Sequence, residues 1–376
     1  MFVALRELRF ARTRFALMGL VVSLIAVLMV MLSGLSVGLV DDGVSGLKKL
    51  PVTSFAFEPH VQSDSAFSRS VVDVAAADRW RSRPGVASAA PFGNTLINAR
   101  SDRGTEIDLA LFGVEPDSFL APRASTGSGL TARENGIVVS STAIENGLKI
   151  GDTVTVDRLG TRLVVVGELA GQHTFGHVDV AYVALPVWQR IKAGAAPGDP
   201  VPSHALHEAT AIAVRAEDGK TVDLAAGDRA AGTGSMTLHK SFGASPGFTA
   251  ETSTLTLIQV FLYAIAALVV GAFFTVWTIQ RKQEIAVMRA MGAPTGYLLR
   301  DGLAQAFLLL VASIGAGVAV GLGVGGLVGS GVPFALAPGS VALAAVLLLA
   351  LGLAGAAAAV ARIAAVDPLT ALGANR

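Results

Sequence analysis

The sequence predicts a membrane α-helical protein with four transmembrane helices and an α+β extracytoplasmic domain inserted between the first and second. Three observations predict it. Of 376 residues, 52% are hydrophobic, 42 more are glycine and only 15% carry charge, whereas soluble domains average about 45–50% apolar with glycine included and about 25% charged. Mean hydropathy is correspondingly high, at +0.60. Residues 15–40, 252–280 and 302–361 contain no charged side chain, and about 20 apolar residues suffice to cross ~30 Å of hydrocarbon. Residues 41–254 instead mix charged side chains and turn residues with short β-branched runs, the pattern of a folded domain.

The spans are expected at 16–40, 255–279, 304–329 and 340–361; the last uncharged run is long enough for two and divides at Gly331, Pro333, Pro338 and Gly339. The first run far exceeds the ~7–15 apolar residues of a cleaved signal peptide and no A-x-A site follows it, so an uncleaved anchor helix is expected. Residues 1–15 place Leu5, Leu8 and Phe15 between arginines. They read as a short amphipathic helix on the inner membrane surface, or as a plain basic flank of the same topology. The flanks and loops 1–15, 280–303 and 362–376 hold ten basic and four acidic residues, a net of +6; residues 41–254 hold 19 basic and 24 acidic, a net of −5. Basic loops stay inside, so both termini are expected in the cytoplasm of a cell-membrane protein and 41–254 outside.

Within 41–254, strands are expected at Ile137–Ser140, Thr153–Asp157, Arg162–Glu168, Glu106–Val114, Val178–Ala184 and Ala209–Arg215, with a hairpin turn at Leu159–Gly160. Helices are expected at Ser68–Arg81 and Pro186–Ala193, and Asp41–Leu50 and Gly243–Glu251 read as stalks extending the first two spans.

The insert at 280–303 is too long and too regular for a bare connection. Ile285, Met288 and Arg289 recur at helical spacing before Gly292 and Pro294, which suits a short helix that docks on a partner. Gly317, Gly321, Gly325 and Gly329 repeat every fourth residue in the third span, and such a stripe lets two helix backbones approach closely, within one chain or across a dimer.

Catalytic chemistry is hard to place. There is no cysteine, hence no thiol nucleophile, disulfide or thiolate metal site. Gly219-Lys220-Thr221 lacks the earlier glycine of a phosphate-binding loop, because that position is Val214. His173 and His177 lie four apart, and His204 and His207 three apart beside Glu208. On helices these would suit zinc, but Gly176, Pro200 and Pro202 interrupt them, so solvated loops and no metal are expected. No span carries a central Asp, Glu, Lys or Arg, the usual mark of ion-coupled transport. A four-span chain without its own energy source then needs a partner that supplies one.

The run Arg281-Lys282-Gln283-Glu284-Ile285-Ala286-Val287-Met288-Arg289-Ala290-Met291-Gly292-Ala293 is similar to the R-K-x-E-I-A-x-L-R-A-x-G-A segment of FtsX/MacB-like (type VII) ABC transporter permeases. The close Arg362–Leu372, with Asp367-Pro368 before Ala371-Leu372, resembles that family's R-x-A-x-x-x-P-x-x-A-L ending, and Asn146–Val154 resembles the G-L-K-x-G-D-x-V of MacB-type domains. The span order matches as well. Among these permeases the compact four-span form is most like the haem exporters of Gram-positive bacteria.

The resemblance implies a homodimer that clasps two copies of a separate ATPase, which would carry ATP and Mg; this chain would hold no cofactor and no ATPase site of its own. The coupling helix would be 282–291, with Arg281, Lys282, Glu284, Ile285, Met288, Arg289 and Gly292 facing the ATPase. Substrate would leave from the membrane, with lipid as a neighbour and no nucleic acid as a partner. For a haem-sized amphiphile, the candidate contacts are Met29 and Met31 late in span one, with Phe248, Glu251, Phe261 and Tyr263 around the start of span two. Each has a plainer reading: Glu251 as an acid at a helix start, the methionines as packing. Export of lipid, lipoprotein or antimicrobial peptide, or an FtsX-type regulator of an external partner, stay open beside haem export.

Overall fold

The computed structural model describes residues 12–280, 287, 291–292, 294–328 and 332–364. It divides into two units, Val40–Glu251 and the segments on either side of it.

The helical unit is built from α1 (Arg12–Lys48), α5 (Phe248–Gln280), α6 (Thr295–Gly325) and α7 (Pro338–Ala364); α2–α4 belong to the inserted domain. All four helices are long and apolar enough to cross a membrane, and helices satisfy every backbone hydrogen bond internally where no water can. Phe15, Met18, Val22, Ile25 and Met29 recur at alternating three- and four-residue steps on α1 and are buried against Val270 and Phe274 of α5 and Leu310 and Ile314 of α6. That spacing is a helix-packing seam.

The boundaries differ from expectation in three places. No proline or glycine separates Arg12 from Phe15, and these residues form the first turn of α1 rather than a separate surface helix; residues 1–11 of the expected amphipathic helix lie outside the described residues. α6 ends at Gly325, short of 329, where Gly325 and Gly326 release the chain. The second stalk starts only at Phe248, because Pro246 and a left-handed Gly247 (φ 77°) precede it.

In the inserted unit the sheet strands are β1 (Ser54–Phe57), β2 (Val86–Ser101), β3 (Glu106–Val114), β4 (Gly136–Val139), β5 (Thr153–Val156), β6 (Arg162–Glu168), β7 (Thr174–Phe175), β8 (Val178–Ala184), β9 (Ala211–Ala216) and β10 (Gly234–Thr237). They run β10-β1-β9-β2-β3-β8-β4-β6, with the two-residue strand Thr126–Gly127 paired beyond β6 and β7 paired to β8. β5 then pairs with both β6 and β2, joining Ala99 to Val156 and Val154 to Leu163, so β2, β3, β8, β4, β6 and β5 close into a six-stranded ring. Closure removes edges that would otherwise pair with other chains.

Alternation decides which side chains fill the ring. Leu109, Leu111, Ile137, Val139, Ala181 and Val183 point into one core, capped by Trp188 of α3 (Leu185–Lys192). Ala110, Phe112, Val138, Val180 and Tyr182 point to the other face, onto edge-to-face phenylalanines from Phe55 through Phe67 and Phe92. A third cluster lies under α2 (Ala76–Arg81) and α4 (Leu224–Ala231) around Trp80.

The expected helix Ser68–Arg81 is broken. A short helix ends at Arg69, Val72–Asp73 pairs with Glu208–Ala209, and helix resumes at Ala76. The β-branched pair Val71-Val72 favours extended backbone, and Asp73 accepts the Ala75 N–H at 2.8 Å in a tight turn.

Candidate functional site

Of the candidate substrate residues, Phe248 and Glu251 fall in the inserted unit, where the last turns of α1 meet the β7–β8 hairpin and the start of α5. α1 is stitched to that hairpin. Ser45 Oγ receives the Thr174 N–H at 2.9 Å and shares a 2.7 Å hydrogen bond with Thr174 Oγ1; the Gly176 N–H donates to the Gly43 carbonyl at 2.9 Å. A Cβ at Gly46 would stand 2.8 Å from Val180 Cγ2, so only glycine permits this approach. The hairpin turn puts His177 in a left-handed conformation (φ 66°), beside Gly176 (φ 59°).

From that turn the His177 ring reaches two carboxylates. Nδ1 lies 2.8 Å from Asp42 Oδ2 and Nε2 lies 3.0 Å from Glu251 Oε2. A carboxylate only accepts when ionised, so both ring nitrogens donate and the geometry suits imidazolium. Burial pushes the His177 pKa down, but the Asp42 hydrogen bond and the charges of Glu251 and Asp42 outweigh it and hold the pKa above its ordinary value. Asp42 also accepts from the Gln172 amide at 2.9 Å. Phe248 packs on the phenylalanine core and stands T-shaped to Phe242 at 6.4 Å. Glu251 is therefore one end of an ion-paired bridge, and the partner, His177, was visible in the sequence only as half of an inconclusive histidine pair.

The other candidates lie in the helical unit. Met29 is 2% exposed and packs inside the span cluster, while Met31 is half-buried. Phe261 is 60% exposed, and Tyr263, two residues on and so on another helix face, packs against the Met29 cluster. Tyr263 also lines a cavity of about 300 Å³ with Ser33, Ser36, Gln259 and Ser340, none of them charged. Met29 and Tyr263 thus share a neighbourhood that Phe261 does not.

The glycine stripe packs within the chain. A Cβ on Gly317 would lie 2.4 Å from the Ser23 carbonyl oxygen, and one on Gly321 would lie 2.8 Å from Val30 Cβ, both on α1. Gly325 faces Phe334, and Gly329 lies outside the described residues. α5 and α7 make a second close approach that the stripe did not signal, at Gly271 and Gly355. Of the coupling residues, Arg281, Lys282, Glu284, Ile285, Met288 and Arg289 lie outside the described residues; Gly292 is left-handed (φ 91°), following exposed Met291. Among the described residues no group of three His, Asp or Glu side chains is placed to share a metal ion.

Residues 236–368 match the family FtsX-like permease C-terminal. A protein of Staphylococcus haemolyticus, provisionally named hemin transport system permease protein HrtB, is 23% identical over 99% of both chains. Its namesake in Staphylococcus epidermidis is 22% identical, again over 99% of both. The chain is similar, at 13% identity and a TM-score of 0.36, to the periplasmic region of MacB from Actinobacillus actinomycetemcomitans; the alignment covers 50% of this chain and 91% of that one. The family match covers the stretch of sequence from α5 to α7, the loop between α5 and α6 included.

Proposed function

We propose that this chain, with its FtsX-like permease domain, is the membrane subunit of an ATP-driven ABC exporter that expels a hydrophobic or amphipathic substrate, haem first among the candidates. The observation that carries the reading is end-to-end alignment with relatives named for hemin transport, joined to the permease match over α5–α7. A separate ATPase supplies the energy, two copies serving a homodimer of this chain, with both termini inside and the inserted domain outside. Two features support a second copy or lipid against α5: it is the least buried of the four spans, and Phe261 and Leu268 project from it.

ATP-driven closure pushes on the 280–303 loop and displaces the helices that flank it. α1 is a single helix of 37 residues whose last turns, with Val44 and Leu47 fully buried, form part of the inserted domain's core. Within the inserted domain the Asp42–His177–Glu251 bridge ties the last turns of α1 to the start of α5. The spans need no polar channel, because substrate is taken up laterally. The uncharged cavity beside Tyr263 supports uptake at membrane depth, and a buried Met29 supports a packing role in this conformation.

Haem titrated into the purified chain is expected to shift its Soret band and, with the ATPase present, to accelerate ATP hydrolysis. The shift should weaken in Glu251→Ala. Absence of both effects, with stimulation by a lipid or peptide instead, would transfer the reading to that substrate.

A further inference from the structure

The inserted domain holds a separate cavity of about 460 Å³ with basic walls. Lys49, Arg123, His173 and Arg215 line it, and no acidic side chain does among the described residues. Two of these cations are fixed in place. Lys49 Nζ donates to the carbonyls of Gln172 at 2.8 Å and Ala170 at 3.5 Å; Arg215 donates to Ser88 Oγ at 2.9 Å and lies 4.8 Å over the Phe119 ring. Between the charges the wall is apolar, with Leu50, Phe119 and Leu169.

Tyr182 adds the second observation. It is 4% exposed, its ring sits edge-on to Phe112 at 5.5 Å, and it lines the cavity. On the cavity wall its hydroxyl can donate to an occupant. Burial raises its pKa and keeps it protonated. Burial likewise lowers the pKa of His173, against the pull of the Gly171 carbonyl, and leaves that ring neutral at pH 7. Lys49 is pushed down by burial while Asp41 pulls it back up. The two arginines bring planar guanidinium forks that match carboxylate and phosphate oxygens.

We propose that this cavity binds an amphipathic anion, a carboxylate or phosphate monoester on an apolar body, its oxygens held by Arg123, Arg215 and the Tyr182 hydroxyl. The apolar body lies along Leu50, Phe119 and Leu169, and the volume is that of a small-ligand site. Charge-assisted hydrogen bonds from arginine and tyrosine account for preference over a neutral amphiphile. The site goes beyond the transport reading, since binding is measured without nucleotide or ATPase and fails or succeeds independently of haem-driven hydrolysis.

The test is equilibrium dialysis of radiolabelled decanoate against the full chain in phosphatidylcholine nanodiscs, with empty discs subtracted. Saturable binding of one decanoate per chain is expected, competed by decyl phosphate and untouched by decanol. Tyr182→Phe should weaken it about tenfold and Arg123→Glu further. Loss of decanoate binding in phosphatidylglycerol discs would support the site with a membrane lipid headgroup as the anion's source; unchanged binding there would support it with a free amphiphile. No saturable binding, equal competition by decanol, competition by inorganic phosphate as strong as by decyl phosphate, or indifference to both substitutions would each overturn the proposal.

Discussion

Gly317→Ala tests the seam between the first and third spans. The added Cβ would sit 2.4 Å from the Ser23 carbonyl oxygen and 2.6 Å from Ala26 Cβ, where carbon atoms rest at about 3.5–4.0 Å. The obstacle is backbone, which no rotamer change moves aside, so α1 and α6 must part by about 1 Å. Overpacking on that scale costs about 1–3 kcal/mol, against about 0.5–1 kcal/mol gained by replacing a mid-helix glycine with alanine. The net is a loss of up to about 2.5 kcal/mol. Gly315 supplies the control: the same helix, with nothing within 4 Å of its would-be Cβ, so Gly315→Ala should keep only the gain of about 0.5–1 kcal/mol. Thermal unfolding in detergent micelles, followed by helical circular dichroism, should show melting lowered for Gly317→Ala and raised slightly for Gly315→Ala. Equal shifts in the two variants would refute the seam.

Three further outcomes follow from the same geometry. The folded pKa of His177 is raised, so its bridge stabilises the inserted domain fully below the ordinary histidine pKa of about 6.5 and loses that contribution as pH rises through the folded value; the domain's melting temperature should fall across that window, and His177→Gln should flatten the dependence. Because the bridge is partly exposed, its worth is about 0.2–1 kcal/mol per pair. Gly93→Ala drives a methyl to 2.3 Å from Trp188 Cδ2 and should cost the domain about 1–3 kcal/mol, read by urea titration of tryptophan fluorescence. Met291→Asp, at a side chain 76% exposed beside Gly292, should leave the chain's melting unchanged while weakening co-purification with the proposed ATPase.

The spans were legible because lipid imposes one requirement, a long uncharged helix, and residues 15–40, 252–280 and 302–361 met it without ambiguity. Strands with clean alternation, such as Glu106–Val114 and Val178–Ala184, were found at the expected limits. The longest strand, Val86–Ser101, was not, because Ala89-Ala90, Pro91 and Gly93 dilute its β signal while its partners in β3 and β9 supply the order. Ring closure depends on β5 pairing with β2 more than fifty residues earlier, information that local pattern does not hold. The glycine stripe announced a close approach but not its partner. Glu251 stood out as the lone charge near the start of span two, whereas its link to His177 and Asp42 is made by tertiary contacts alone. The basic cavity assembles Lys49, Arg123, His173, Tyr182 and Arg215 from five separate stretches, so no spacing rule could collect them.

The central claim is that nucleotide turnover on another polypeptide enters through the loop between the second and third spans. It is tested most directly by substrate-stimulated ATP hydrolysis of the chain and its ATPase in liposomes, comparing the wild type with Glu284→Lys. The account predicts stimulation by haem in the wild type and its loss in Glu284→Lys, with both chains equally stable to heat. Haem release by the chain without the ATPase, or full stimulation through Glu284→Lys, would contradict it.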